Sequence, residues 1–435
     1  LDHNFVPLES VVPCKAPGNF KLQDCAETER YFNVAFLSAM SRQKERAECG
    51  ESNHWKTPCS TTSLVLSMTS IDQVLTSLEE VTMESTSYLD HDDHDGIRIQ
   101  QLEREQDRLA NILRHCWNLD CGPSKRYLKR LIKEYVKRVE KNNADAIQSD
   151  SLAQLVVQAS LFKIDAMPNA NEACHSSFYL PPERIRRTSA DKAPRRYAAS
   201  SLSDTDHVRQ HFLRVRVFPY HNDVALRLWE AAAALAEFFL DNQETIRNRE
   251  VLELGAGVGL TGLVLQACCA AKSTYLTDCT QMCRENLQHN LELNQAWLME
   301  HGADPAGVQQ GYLEWGAFGD PEYVPSNDDE KMSQQAFEGA DVLIAADVIY
   351  DVKVIDSLVQ VIHKFLANNH ANKEAILAVT KRNMKTFQLF LNSINKQGFV
   401  CECLVRDCST IPKIFHCNFT QDRCDVLIAR LTLEI

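Results

Sequence analysis

The chain has 435 residues, and 46 Lys and Arg stand against 59 Asp and Glu for a formal charge of −13. That length allows two or three domains, and the acidic balance argues against sequence-independent nucleic-acid binding. No apolar run is long enough to span a bilayer, and the sixteen cysteines form no CxxC knuckles and no zinc spacing. With no signal peptide in view, reduced thiols in a cytosolic protein are the simplest reading, including at Cys401, Cys403, Cys408, Cys417 and Cys424. The chain opens on Leu1 rather than Met, so its N-terminus reads as missing or misassigned.

Residues 1–96 are poor in apolar side chains and rich in Ser, Thr, Glu and Asp. They are expected to be disordered or atypical, with one short element at Leu64–Met68. His91, Asp92, Asp93, His94 and Asp95 have metal-binding chemistry, but such a tract reads as a solvated loop, and no metal site is assigned. Residues 97–167 read as a helical module. In its first helix Leu102, Leu109, Ile112, Leu113, Cys116 and Trp117 recur at threes and fours. Gly122 and Pro123 break that helix, and Ser124 caps the next. The second helix carries Tyr127, Leu128, Leu131, Ile132, Tyr135, Val136 and Val139 on one face. Its other face carries Lys125, Arg126, Lys129, Arg130, Lys133, Lys137 and Arg138. A solvated amphipathic helix is the simpler reading of that face, and an acidic partner is the alternative. A third helix bears Leu152, Leu155, Val156 and Ala159.

Residues 168–207, rich in Pro, Arg and Ser, read as a linker or flap. The last domain spans 208–435. Arg214–Phe218 enters it as a strand, and Asn222 and Asp223 are placed to cap a helix running through Leu228, Ala231 and Leu235. Strands then alternate with helices: VLEL, STYLTD, VQQGYLEW, DVLIAADVIY and EAILAVTK. FVCECLVRD and DVLIARLTL close the chain without a long helix between them. Alternation predicts a parallel sheet with helices on both faces. The closing pair predicts an antiparallel edge. The fold class is α/β, a Rossmann-like seven-strand sheet of the class I methyltransferase kind behind an N-terminal helical module.

The most informative run is Val251–Gly262, VLELGAGVGLTG. It reads as a buried strand, a glycine turn at Gly255, Gly257 and Gly259, and the start of a helix. Such a turn sets a helix N-terminus against a ligand at the carboxyl end of a parallel sheet. The GxGxxG pattern in it also fits a dinucleotide site. Glu253, at the strand end, is a candidate for holding an amino-acid group. Asp278 ends the next strand, where an acid accepts hydrogen bonds from ribose hydroxyls, and dinucleotide sites place an acid there too. The feature that favours S-adenosyl-L-methionine is Asp347–Asp351, DVIYD, which closes a buried strand with an acid and a phenol.

Methyl transfer from a sulfonium needs alignment and exclusion of water more than covalent help. A lysine acceptor must also lose a proton. Asp347 is the candidate for attracting and orienting that amine, and Tyr350 for steering it and walling the pocket. Asp351 reads as solvent-facing or a helix cap. Trp315, after the third strand, is a candidate cover for an adenine ring, and Trp229 for the cofactor's far end. Core packing is the bland reading of both.

The motifs together resemble the family 16 lysine methyltransferases of the seven-β-strand superfamily, and within them the elongation factor 2 lysine methyltransferases. The resemblance runs from about Pro123 to the C-terminus. It is carried by PSKRYLKRLIKEYVKRVEK, FYLPP, FPYHNDVALRLWEAAAALAEF, VLELGAGVGLTGL, LEW, VLIAADVIYD and AVTKRNMKTFQLF. It implies S-adenosyl-L-methionine contacts at Trp229, Gly255, Ala256, Gly257, Asp278, Trp315 and Ala346, beside Glu253 and Gly259 read from the turn itself. It implies trimethylation of one lysine on translation elongation factor 2 in the cytoplasm, with the front helices recognising that protein. No nucleic-acid or membrane partner is expected, and a monomer is. The segment before Ile99 departs from the family pattern and suggests a fusion or a faulty gene model. The stretch Gly316–Phe337 is expected to loop out near the sheet edge. The rivals are a related enzyme acting on a chaperone lysine or a histidine, a cofactor-binding interaction protein without turnover, and a nicotinamide oxidoreductase.

Overall fold

The computed structural model describes residues 65, 68, 73–75, 94–119, 122–142, 147–163, 169–180, 212–368, 373–417, 419 and 422–433. Three helices come first: α1 (His94–Asn118), α2 (Lys125–Asn142) and α3 (Asp150–Leu161). Their starts are locally encoded. The Ser124 hydroxyl accepts from Tyr127 N–H at 3.1 Å, and Ser149 Oγ from Leu152 N–H at 3.0 Å, each satisfying an orphan donor. Leu109, Leu113, Leu128, Leu131, Leu152 and Leu155 form their common core. Lys125, Arg130, Lys133 and Lys137 are exposed on the outer face of α2. Val65, Val74 and Leu75 are buried in this same core, so the front segment contributes to the module at these positions. Sparse apolar residues hid that role, because three well-placed side chains leave no periodic pattern. The side chains of the His91–Asp95 tract lie outside the described residues.

The linker reading of 168–207 needs correction. Cys174–Tyr179 is strand β1, antiparallel to β2 (Phe212–Val217), with Cys174 opposite Val217 and Tyr179 opposite Phe212. CHSSFY has little strand pattern of its own, and the pairing that orders it is non-local. The ribbon joins two cores. Phe212 and Tyr179 pack with the helical module, while Phe178, Leu213 and Val215 pack with the main domain.

The main sheet has seven strands: β3 (Glu250–Leu254), β4 (Ser273–Asp278), β5 (Val308–Tyr312), β6 (Val342–Ala346), β7 (Glu374–Thr380), β8 (Phe399–Val405) and β9 (Val426–Leu433). Their spatial order is β5-β4-β3-β6-β7-β9-β8. All neighbours are parallel except that β9 runs antiparallel to both β7 and β8. The closing strands therefore form an antiparallel pair as expected, with β9 slotted inside and β8 at the edge. Side chains alternate between two cores. Val251, Val342 and Ile344 face one, and Leu252, Leu254, Leu343 and Ala345 the other. The strand order reverses between β3 and β6, which opens a crevice at their carboxyl ends.

The crossover helices are α4 (Glu230–Asp241), α5 (Leu260–Cys268), α6 (Gln281–Leu293), α7 (Gln295–Glu300), α8 (Trp315–Gly319), α9 (Asp328–Gly339), α10 (Ile355–Ala367) and α11 (Met384–Lys396). Two expectations shift here. Asp223 caps only a short 3-10 turn at Val224–Leu226, and α4 begins at Glu230 with Trp229 extended at its cap. The stretch Gly316–Phe337 does not loop out. Much of it is α9, where Asn327 Oδ1 accepts from Glu330 N–H at 2.9 Å and Asp328, Asp329 and Glu330 suit the helix's positive end. Its Phe337 and Ser333 are buried against the sheet.

A polar feature fastens the ribbon to the sheet domain. Asn286, Asn290 and Asn294 recur every fourth residue along and just past α6. Arg214 N–H donates to Asn294 Oδ1 at 2.9 Å and Arg216 N–H to Asn290 Oδ1 at 2.8 Å. Asn294 Nδ2 donates to Arg214 C=O at 2.6 Å, and Asn286 Nδ2 to Arg216 C=O at 3.1 Å. Four helical residues advance about 6 Å and two strand residues about 6.6 Å, so the two repeats run nearly in step. The amides thus pair the outward edge of β2 as a strand would. Asn290 also donates to Val258 C=O at 2.9 Å, which carries this scaffold into the glycine turn. A buried ion network adds a second tie: Arg423 bridges Glu230 and Glu237 of α4, and Glu237 Oε1 accepts from Ile414 N–H at 2.6 Å and Phe415 N–H at 2.7 Å.

Among the described residues, no helix is long and apolar enough to cross a membrane, no group of three or more His, Cys, Asp or Glu is placed to hold a metal, and the late cysteines Cys401, Cys403, Cys408 and Cys424 are in no disulfide. Replacing Asn290 by Ala strands the part-buried Arg216 N–H and the buried Val258 C=O and is expected to cost about 2 kcal/mol. Urea unfolding checks this, with the exposed Gln288→Ala as a control expected to stay within about 0.5 kcal/mol.

Candidate active site

The site is built from the turn after β3. Gly255, Gly257 and Gly259 have φ of 62°, 56° and 82°, in the left-handed region that glycine enters without strain. Space is the second constraint. A Cβ on Gly255 would stand 3.0 Å from Val348 Cγ1 and 3.5 Å from the Trp315 ring, and one on Gly257 would stand 3.0 Å from Ala225 C=O. The turn is pinned by Ala256 N–H to Thr277 C=O at 2.9 Å, Gly259 N–H to Ala256 C=O at 2.9 Å and Thr277 Oγ1 to Glu253 C=O at 2.6 Å. Gly255, Ala256 and Gly257 stay partly exposed while the flanking residues are buried. They form a crevice floor beside the N-terminus of α5.

Glu253 does not line that crevice. It is 2% exposed, and its Oε2 accepts from Gly262 N–H at 3.1 Å. Its carboxyl serves the first turn of α5, and burial raises its pKa to about 8 against the opposing Gly262 and Thr261 bonds. The expectation that it holds a cofactor's amino-acid group is corrected on that ground. Gly259 likewise acts from behind, as the buried left-handed cap of α5.

Asp278 ends β4 at the crevice. Its Oδ1 accepts from Cys279 N–H at 2.8 Å and its Oδ2 from Gly257 N–H at 3.3 Å. Burial raises its pKa, and these bonds and Cys283 oppose the rise. Trp315 opens α8 half-buried, its ring against Gly255. Ala346 ends β6, partly exposed, opposite Ala378 of β7. Asp223 closes the near side, where its Oδ2 accepts from Thr280 Oγ1 at 3.0 Å.

Asp347 follows β6 with φ of 56°, a conformation that Asp and Asn tolerate better than other side chains. That twist turns the side chain inward, where it is 5% exposed. Oδ1 accepts from Thr380 N–H at 3.3 Å and Oδ2 from Arg382 Nη2 at 2.7 Å. Burial raises its pKa, while Arg382, Thr380 and the Ala231 N–H at the start of α4 pull it down. The Arg382 guanidinium lies 4.4 Å over the Trp229 ring, and Trp229 Nε1 donates to Val224 C=O at 2.8 Å. Asp347, Trp229 and Arg382 thus form one cluster at the crevice rim.

Tyr350 follows Asp347 by three residues. It is 51% exposed, and the charges that raise its phenol after burial are those of Asp278, Cys279, Asp351 and Asp223. These charges put the phenol in reach of the acids at the end of β4 and before it. Asp351 Oδ1 accepts from Lys353 N–H at 3.0 Å and shapes the turn before α10. The residue missed from sequence is Arg382. Its signal was a basic residue just past the end of β7, the strand beside β6.

Residues 213–397 match the family model described as lysine methyltransferase. This span is a lysine methyltransferase domain. The chain is 26% identical over 301 residues to the mouse Protein-lysine N-methyltransferase EEF2KMT, covering 68% of this chain and 76% of that one. The human EEF2KMT is 33% identical over 183 residues, 41% of this chain and about half (52%) of the human one. Protein-lysine N-methyltransferase EFM3 of Chaetomium thermophilum is 27% identical over 288 residues, covering 64% and 74%. The cofactor is S-adenosylmethionine. The residues present fit it: a floor that bars a Cβ, an indole against that floor and an acid at the end of the adjacent strand.

Two outcomes test this geometry. Gly257→Ala forces a left-handed alanine against a carbonyl and is expected to cost about 1–2 kcal/mol and to weaken S-adenosylhomocysteine binding in calorimetry. The second concerns Glu253, whose folded pKa of about 8 exceeds its ordinary 4.5. The folded state keeps a proton that the unfolded chain releases, so this stability is present below about 4.5 and lost as pH rises to about 8. Relative to wild type, Glu253→Gln is expected to gain stability between pH 5 and pH 8 in urea unfolding, since each pKa unit is worth about 1.4 kcal/mol. Parallel pH profiles would contradict the assignment.

Proposed function

We propose that the chain is a protein-lysine N-methyltransferase acting on a lysine of translation elongation factor 2. The observation that carries this reading is the buried Asp347 carboxylate, paired with a cation beside an aromatic face at the rim of the glycine crevice. When bound, S-adenosylmethionine supplies an activated methyl group, and its transfer to a neutral amine leaves S-adenosylhomocysteine.

The chain's own residues do the rest. Asp278 receives the ribose hydroxyls, Trp315 covers the adenine, and Gly255, Ala256, Gly257 and Ala346 give close backbone approach. Trp229 walls the far end. Asp347 draws the lysine ammonium in and orients it. Burial holds its pKa above the ordinary carboxylate value, which suits it to receive the proton the amine must lose. Tyr350 guards the mouth. The names of the relatives support elongation factor 2 as the acceptor. We place the catalytic domain at 208–435, with the helical module of 97–167 and its β1–β2 ribbon recognising the protein substrate, and a monomer working in the cytoplasm.

Incubation with S-adenosylmethionine carrying a labelled methyl and purified elongation factor 2 is expected to label one lysine. Label on a different lysate protein, or on none, would overturn the substrate. Asp347→Asn keeps a residue that tolerates positive φ. It is expected to lower transfer by about a hundredfold or more while S-adenosylhomocysteine still binds in calorimetry. Asp278→Ala is expected to weaken that binding by about tenfold or more.

A further inference from the structure

We propose that Arg382 fills the pocket that the acceptor ammonium must enter, and so acts as an internal competitor that sets acceptor affinity and selects for a cation. This rests on the lysine methyltransferase reading of the site. Two fixed walls define the pocket. One is the Trp229 indole, held at the cap of α4 and by its Nε1 bond to Val224 C=O at 2.8 Å. The other is the Asp347 carboxylate, held through Thr380 N–H and, at its backbone, by Asp347 N–H to Ala378 C=O at 3.0 Å. An aromatic face beside a carboxylate is a cation site that accepts either a guanidinium or an alkylammonium.

Arg382 enters this site from outside. Its side chain is 29% exposed whereas Asp347's is 5% exposed, and its backbone is held by Arg382 N–H to Thr380 C=O at 2.9 Å. Of the three partners it is the one on a flexible stem. Its guanidinium lies over the ring at 4.4 Å and donates to Asp347 Oδ2 at 2.7 Å. A lysine reaching the same oxygen must displace it. The exchange keeps Asp347 paired throughout, because one cation replaces another. A neutral side chain that displaced the guanidinium would leave a buried carboxylate uncompensated, which is strongly unfavourable.

The test needs no turnover. Binding of n-butylammonium, the lysine side chain alone, is followed by ligand-observed NMR with S-adenosylhomocysteine present. Arg382→Ala is expected to bind it about tenfold more tightly than wild type, Arg382→Lys to bind it as wild type does, and the neutral 1-pentanol to show no such gain. Equal amine affinity in wild type and Arg382→Ala overturns the proposal. So does a gain that survives in Asp347→Asn, Arg382→Ala, because the pocket would then lie elsewhere. Circular dichroism confirms that each variant is folded, and Arg382→Gln serves as a second neutral variant. With the acceptor protein, the fall in KM of Arg382→Ala is expected to exceed any change in kcat. A kcat loss at constant KM, restored by Arg382→Lys, would make Arg382 a positioning residue instead. A loss of S-adenosylhomocysteine affinity would assign it to the donor side. The amine titration keeps its meaning whichever protein is the natural acceptor.

Discussion

The turn between β3 and α5 must leave a buried strand, reverse within a few residues and enter a helix while keeping its upper face bare. Three left-handed glycines meet that demand. Everything on the crevice floor depends on them, because Val348 and Ala225 close in to 3.0 Å from where a Cβ would stand. The neighbouring acids are arranged around the same turn. Glu253 holds the first turn of α5 from below, and Asp278 reaches Gly257 from the side. Both carboxyls are buried, and their partners separate their roles: Glu253 is taken up by Gly262 at the start of α5, whereas Asp278 holds Gly257 and Cys279 at the end of β4.

Polar scaffolding holds this turn in register with the rest of the chain. The Asn286, Asn290 and Asn294 stripe gives the outward edge of β2 the partners a sheet would give it, and Asn290 passes the tie on to Val258. Arg423 and its two glutamates fasten the C-terminal loop to α4, the helix whose start faces Asp347. Each contact satisfies groups that would be expensive to bury alone, so both networks fix relative position more than they add net stability. The result is a crevice whose two rims, at Trp229 and Asp347, come from elements far apart in sequence.

Much of the main sheet was legible from residue patterns. Its central strands β6 and β7 are near-continuous apolar runs, its first turn carries glycine, and alternation with helices leaves few topologies for a parallel sheet. The glycine turn, Asp278 and Trp315 were legible for the same reason: each sits where a strand ends. Other features depended on pairings that no local pattern records. β1 is ordered by β2, and Val65, Val74 and Leu75 by a helical core assembled later in the chain. Arg382 meets Asp347 because β6 and β7 are neighbours in register, although 35 residues separate them. Glu253 and Tyr350 mark the limit of motif reading. Both lie in the expected motifs, yet Glu253 is buried against Gly262 and Tyr350 is half-exposed.

The most direct measurement is a crystal structure of the chain with S-adenosylhomocysteine. The ribose is expected on Asp278, the adenine against Trp315, and the sulfur over Gly255 with its open side toward Asp347. A nucleoside bound away from the glycine floor, or a sulfur facing the rim opposite Asp347, would contradict the account.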